Sequence, residues 1–325
     1  MEDSPLVGLI CLNYNGLSIL HNGKPIIQLC LDSILLTKYK KSKFVLVDAS
    51  SEDGSVEFVK YKYPNVDCIK VPNIGWGPNN NKGIQYIAKH YPSVEYIVLL
   101  SNDIILTDPL WLDKILSKIS KDSRIGIITG KLIWPDGRVQ FKGLKMSLRG
   151  IPVPSKTTTT GFLGRNFFFN GAFFMVKREV FETIGLIDES YIMMNGEDID
   201  FCIRTYDNGY RTYFLEEISA IHLEDATVEK IKEGKLKGYD VSGNGGIEFN
   251  MRVNECVLVL RKYKVLVISW AFNGIITSII GRENKGFGRL TFRNHILRNL
   301  ITHLQILLEA VQRSKKSAIP RLEGE

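Results

Sequence analysis

Along the first 130 positions, short runs of β-branched and aliphatic residues alternate with longer stretches whose apolar side chains recur at helical spacing. Val7–Tyr14 is one such run; Ile26–Thr37 repeats Ile26, Leu29, Cys30 and Ile34 along one helical face. Phe44–Val47 reads as a strand ending at Asp48, Ser55–Tyr61 as a helix and Val66–Val71 as a strand. Asn80–His90 then reads as a helix, Tyr96–Leu100 as a buried strand, Leu110–Ser120 as an amphipathic helix and Ile125–Thr129 as another strand. Strands separated by helices of this length predict βαβ units and an α/β fold with a mostly parallel sheet. Gly143–Gly164, with Pro152, Pro154 and Thr157–Thr160, reads as a mobile loop. Structure resumes at Phe167 with FFFNGAFFMV, a helix over Arg178–Ile184, a helix starting near Glu197 and a strand at Arg211–Leu215.

Sheets of this kind bind ligands beyond the carboxyl ends of their strands. The segments to inspect are therefore Asn13–Gly16, Asp48–Gly54, Asn73–Gly77 and Ser101–Asp103. All four are polar and three contain glycine, the texture of a nucleotide cleft: glycine lets backbone approach a ligand, and Asn or Asp reads its polar groups. The first strand is followed by NYNGLSIL. It has no G-x-G-x-x-G, which argues against a nicotinamide-dependent dehydrogenase, and no arginine-bearing glycine loop, which argues against a nucleotide-sugar pyrophosphorylase.

From Val7 to His222, six ordered blocks resemble the family-two glycosyltransferases, and rhamnosyltransferase-like members in particular. They are NYNG at Asn13, VDASSEDGS at Val47, NIGWGPNNNKGI at Asn73, SNDI at Ser101, NGAFFMVKREVFETIGLIDE at Asn170 and GEDIDFCIR at Gly196. The resemblance implies a GT-A fold: a Rossmann-like sheet flanked by helices. It also implies an inverting transfer from a UDP- or dTDP-type nucleotide-sugar donor to a glycan or lipid-linked acceptor, as in polysaccharide biosynthesis. Asn13, Asn15, Asp48, Asn73, Gly75, Asn80, Asn81, Asn102, Asp103, Asn170 and Gly171 then fall on the donor site. Asp48 would accept from a pyrimidine ring N–H, against the plainer reading that it caps the turn before the Ser55 helix. Asp53 fits an N-cap or turn equally well. Asp103 matches the position of the family's metal ligand, where Mg²⁺ or Mn²⁺ would neutralise a departing diphosphate. Here Ser101 stands where the motif's first carboxylate is expected. His222 lies at the family's distance for a histidine near the metal, against the alternative of a structural histidine. Asp198 takes the place of the general base and Glu197 that of its support. Asp200 and Arg204, four apart, suit a simple helix pair. The departure at Ser101 keeps a second reading open, a catalytically degenerate GT-A protein that binds a nucleotide or glycan without turnover.

Composition changes this picture mainly at the end of the chain. At 44% apolar and 24% charged, the sequence is that of a folded protein. Cys11, Cys30, Cys68, Cys202 and Cys256 are scattered without metal-like spacing and read as reduced thiols. The acidic start running straight into a strand does not read as a secretory signal, which points to a cytoplasmic catalytic part. From Cys256 to Glu325 twelve Lys/Arg stand against four Asp/Glu, so the net charge of +7 is concentrated there. Val265–Gly281 is uncharged but shorter than the roughly 20 residues that span a bilayer. Basic residues flank it, and Leu290–Val311 is amphipathic. The expectation is a GT-A domain over 1–235 and a helical region over 236–325 that lies peripherally on the inner face of the cell membrane. Nucleic acid is not the expected partner.

Overall fold

In the computed structural model, residues 4–148, 150–155, 158–191, 196–223, 246–263, 266, 270–271 and 296–322 are described. Strand β1 (Leu6–Asn13) leads through a small hairpin, β2 (Leu20–His21) and β3 (Lys24–Pro25), into α1 (Ile26–Leu35). There follow β4 (Ser42–Asp48), α2 (Ser55–Lys62), β5 (Asp67–Lys70), α3 (Trp76–His90), β6 (Val94–Ser101), β7 (Ile104–Leu106), α4 (Trp111–Ile119) and β8 (Ile125–Ile133). Shorter strands come next: β9 (Val139–Phe141), β10 (Leu144–Met146), β11 (Pro152–Pro154), β12 (Gly161–Phe162) and β13 (Phe167–Phe168). They precede β14 (Phe173–Lys177), α5 (Arg178–Ile184), α6 (Glu197–Asp207) and β15 (Arg211–His222). Among the described residues two further helices follow, Gly246–Lys262 and Ile296–Ser314.

The main sheet runs β12-β15-β8-β14-β6-β1-β4-β5, with β7 on β15 and β9 on β8. Strands β5, β4, β1 and β6 are parallel to one another. β14 runs antiparallel between β6 and β8, and β15 lies parallel to β8. Alternation along each strand divides the apolar residues between two layers. Leu9, Cys11, Leu46 and Val98 face α1, α2 and α4. Ile10, Val47, Ile97 and Leu99 face α3, α5 and α6. That second layer also holds Val253, Cys256 and Val257 of the Gly246–Lys262 helix and Ile306 and Ala310 of the Ile296–Ser314 helix. The C-terminal helices are thus not detached from the catalytic fold; they bury one face in its core.

Three expectations change. α3 begins at Trp76 rather than Asn80, because Gly75, at φ 129°, makes the entry turn and Pro78 sits in the first turn, where a missing N–H costs no helical bond. The helix therefore also takes in Trp76 to Asn79. The Gly143–Gly164 stretch carries β10 and β11, which join β13 in a three-stranded sheet. β15 continues past Leu215 to His222: the charged pair Glu216-Glu217 breaks the alternation, and a register shift between Phe214 and Ser219 absorbs it. Most of Val265–Gly281 lies outside the described residues. Of it, Trp270 is buried and stacks on His303 with ring centroids 4.9 Å apart. Among the described residues no helix is long and apolar enough to cross a membrane.

The close approach of α3 to the sheet is set by Gly83, where a Cβ would meet Ile10 Cγ2 at 2.7 Å and Val47 Cγ2 at 2.8 Å. Gly83→Val is expected to cost about 1–3 kcal/mol by overpacking, read as a lowered midpoint in urea denaturation; an unchanged midpoint would contradict this packing.

Candidate active site

The parallel register places Asn13 beside Asp48 and Leu12 beside Ser101, so three strand ends share one edge. A buried network ties them together. Asn13 Nδ2 donates to Asp48 Oδ2 (2.9 Å), and Asn102 Nδ2 donates to Asn13 Oδ1 (2.7 Å). Ser51 donates from its backbone N–H to Asp48 Oδ1 (2.9 Å) and from its hydroxyl to Oδ2 (2.6 Å). Asn15, at φ 50°, accepts from Glu52 N and donates its own N–H to Ser51 Oγ. Asp48 is fully buried with both oxygens engaged. Its carboxylate shapes the turn, Oδ2 taking two hydrogen bonds and Oδ1 one. Ser51, which the sequence reading did not single out, is the hub of this turn. Asp53 likewise holds turns, accepting from Leu17 N, Ser18 N, Ser55 N and Ser55 Oγ.

The first turns of α3 bring the second asparagine cluster. Asn73 is half-buried ahead of Gly75. Asn80 donates to Trp76 O (2.9 Å), while its Oδ1 and that of neighbouring Asn79 are buried without partners. Asn81 is turned toward another segment. It donates to Ile187 O and Glu189 Oε1, both at 2.9 Å, and accepts from Ile187 N at 3.0 Å. Every polar atom of its side chain thus braces the Ile187–Glu189 segment. The NNN run gives no hint which of its members turns inward, since that depends on where the helix starts.

At the other end of the edge, β7 pairs antiparallel with the end of β15, setting His222 opposite Ile104. This seats His222 Nε2 at 3.5 Å from Asp103 Oδ2. His222 Nδ1 lies 2.9 Å from Gln140 Oε1, which makes Nδ1 the donor of that bond and turns Nε2 toward Asp103. Asp103 Oδ1 is buried with no hydrogen-bond partner. An imidazole nitrogen beside a buried carboxylate oxygen is a donor set that fits a divalent cation. Among the described residues no group of three or more His, Cys, Asp or Glu converges in this way. Gln140 carried no sequence signal, as only the β8–β9 pairing brings it near.

The carboxylate pair opens α6. Ser101 N donates to Ala172 O (3.0 Å), which lays the Asn170–Ala172 turn against the end of β6. Gly171 N in turn donates to Asp198 Oδ2 (3.1 Å), and Asp198 Oδ1 accepts from Ile199 N. Asn170 Oδ1 caps the turn at Ala172 N. Gly171 is required by crowding, since a Cβ there would sit 2.8 Å from the Trp76 ring. Burial pushes the Asp198 carboxyl up to about 6, against the opposing pull of the backbone amides. Glu197 is buried, with Oε2 unpartnered; burial first, then the Asp198 charge, raises its carboxyl well above the usual range. Asp200 pairs with Arg204 at 2.7 Å, the expected i, i+4 contact.

The family model for glycosyl transferase family 2 matches residues 18–185, just over half of the chain. The chain belongs to this family, and its fold is that of the GT-A glycosyltransferases. It is similar to the O-antigen biosynthesis protein RfbC of Myxococcus xanthus, 26% identical over 215 residues, covering 62% of this chain but only 16% of that protein. It is also similar to the N-acetylglucosaminyl-diphospho-decaprenol L-rhamnosyltransferase of Mycobacterium tuberculosis, 23% identical over 228 residues, 63% of this chain and 74% of the relative. Among solved structures, GalNAc-T7 with UDP, GalNAc and Mn²⁺ superposes with a TM-score of 0.60 at 14% identity, over 99% of this chain and 56% of the other.

If Asn81 is a brace, Asn81→Ala is expected to lower stability by about 1–3 kcal/mol through the orphaned Ile187 groups and to leave UDP affinity, measured by calorimetry, within about twofold. Loss of UDP affinity without loss of stability would restore it to the donor site.

Proposed function

We propose that the chain is an inverting glycosyltransferase that moves a sugar from a UDP- or dTDP-linked donor to a glycan or lipid-linked acceptor. The observation that carries this reading is the hydrogen-bonded path from Ser101 through Ala172 and Gly171 to Asp198, which links the Asp103–His222 end of the sheet to the carboxylate pair. The relative named for L-rhamnosyl transfer to a diphospho-decaprenol acceptor supports a deoxyhexose donor and a lipid-linked acceptor.

In this reading the edge formed by Asn13, Asn15, Asn73, Gly75, Asn80 and Asn102 receives the nucleotide, and Asn170 and Gly171 border the sugar. Asp103 and His222 would hold the metal, and Mn²⁺ or Mg²⁺ there would supply positive charge for the leaving diphosphate. The imidazole nitrogen favours Mn²⁺ over the harder Mg²⁺. Asp198 takes the proton of the acceptor hydroxyl as it attacks the anomeric carbon. Glu197, kept neutral by burial, leaves Asp198 as the ionised member of the pair. A non-catalytic binding protein is the second reading, favoured by Ser101 where a motif carboxylate is expected.

Donor choice is tested by thermal shift against UDP-, dTDP- and GDP-sugars with and without Mn²⁺. Asp103→Ala is expected to weaken Mn²⁺-dependent pyrimidine-nucleotide binding by about tenfold or more. With the active donor, transfer is expected to rise with pH through about 6, as Asp198 ionises, and then to level off. Asp198→Asn is expected to lower turnover by about 10²–10⁴-fold with nucleotide affinity retained. Turnover surviving in Asp198→Asn would remove the base, and nucleotide binding without turnover in the wild type would favour the binding protein.

The same proposal places the chain in the cytoplasm at the inner face of the membrane. Ile301, Leu304, Leu308 and Val311 are all exposed on the Ile296–Ser314 helix, at spacings of three and four that form one stripe, and exposed Lys315 and Lys316 follow. Such a face suits the lipid–water interface. The double variant Leu304→Glu/Leu308→Glu is expected to lose flotation with anionic liposomes that the wild type retains; equal flotation would remove this face as the contact.

A further inference from the structure

Residues 186–200 carry the Glu197–Asp198 pair, and two buried aspartates flank it. Asp188 lies ahead and Asp200 two residues beyond, each 1% exposed. Both are gripped from the end of the same C-terminal helix, by consecutive residues. Arg261 Nη1 donates to Asp188 Oδ2 at 3.0 Å and to Ser190 Oγ at 3.1 Å. Lys262 Nζ stands 3.0 Å from Asp200 Oδ1, while Arg204 Nε holds Oδ2 at 2.7 Å. Arg204 spends its remaining nitrogens on Ile184 O and Leu186 O.

The last residues complete the grip. Arg261 also donates to Arg313 O, Ser314 O and Lys316 O, capping the carboxyl end of the Ile296–Ser314 helix with positive charge. Leu186 N donates to Pro320 O and Glu189 N to Ala318 O, both at 2.9 Å. Ala318 N and Ser317 Oγ return bonds to Asp188. Gly196, the turn immediately before Glu197, stands at φ 102°, where a Cβ would lie 2.9 Å from the Tyr191 ring and 3.6 Å from Asn254 O.

We infer that Arg261 and Lys262 are positioning residues for the Glu197–Asp198 pair, and that the C-terminal helices are a structural part of the active site. The inference rests on the reading of Asp198 as base. Each acts through a buried aspartate: Arg261 through Asp188, and Lys262 through Asp200, two residues from Asp198. A buried carboxylate needs its cation, and a segment pinned at both ends keeps Asp198 against Gly171. The chemistry then depends on residues some sixty positions beyond it, and a chain cut near Asn250 would lose the clasp along with any membrane contact.

The test uses the full chain and the variants Lys262→Met, Lys262→Arg and Arg261→Lys. Lys262→Met leaves Asp200 paired with Arg204, so folding is preserved, and thermal unfolding checks this. Turnover in Lys262→Met is expected to fall about tenfold to a hundredfold, with affinity for UDP and Mn²⁺ within about twofold and turnover largely restored in Lys262→Arg. Arg261→Lys, which keeps charge but loses the fork, is expected to lower turnover in the same way. Hydrogen exchange is expected to rise across 196–207 in Lys262→Met and across 186–191 in Arg261→Lys, but not across 42–62. Unchanged turnover, or turnover and nucleotide affinity falling together, would overturn the inference. If the wild type turned over no donor, the proposed function would fail, while flat exchange across 186–207 would separately defeat the clasp.

Discussion

Two hydrogen bonds donated by backbone amides do most to bring the chemistry together: Ser101 N to Ala172 O, and Gly171 N to Asp198 Oδ2. The first is the last rung joining β6 to the strand that follows Asn170. The second hangs the start of α6 from the same turn. Asp103 lies two residues after Ser101, and Asp198 is nearly a hundred residues further along the chain; without these rungs nothing local would relate them. The antiparallel insertion of β14 next to β6 therefore brings the start of α6, with Asp198, to the end of the strand that carries Ser101. Gly171 pays for that closeness by having no side chain, since the Trp76 ring fills the space.

Much of this was legible in the sequence because it depends on local rules. Alternating apolar runs identified β1, β4, β6 and β8, and their polar tips named Asn13, Asp48 and Asp103 before any coordinate was needed. What was not legible depends on register and on pairs distant in the chain. Whether an asparagine of the NNN run serves a ligand or a neighbouring segment turns on a helix start four residues earlier than apolar spacing suggested. Gln140 matters only because β9 folds back on β8. Asp48 illustrates a subtler limit: nothing in the sequence shows that Ser51 and Asn13 both bond its carboxylate.

The C-terminal region is where composition says least about packing. Its basic excess and uncharged run drew attention to a membrane, and the exposed Leu304 and Leu308 keep that idea alive. Composition is silent, however, on the opposite face of the same helices. There Val253, Cys256, Ile306 and Ala310 enter the core shared with α5 and α6. One helix pair thus carries an exposed apolar stripe on one side and buried ion pairs to Asp188 and Asp200 on the other.

The central claim is geometric: one cation site and one base face a single sugar carbon. Anomalous diffraction from crystals grown with Mn²⁺ and a pyrimidine nucleotide diphosphate tests it directly. A manganese peak bridging the diphosphate to Asp103 and His222, with the Asp198 carboxylate opening onto the space beyond the β-phosphate, is the expected result. Manganese bound away from Asp103, or an Asp198 carboxylate shut off from the nucleotide's end, would contradict it.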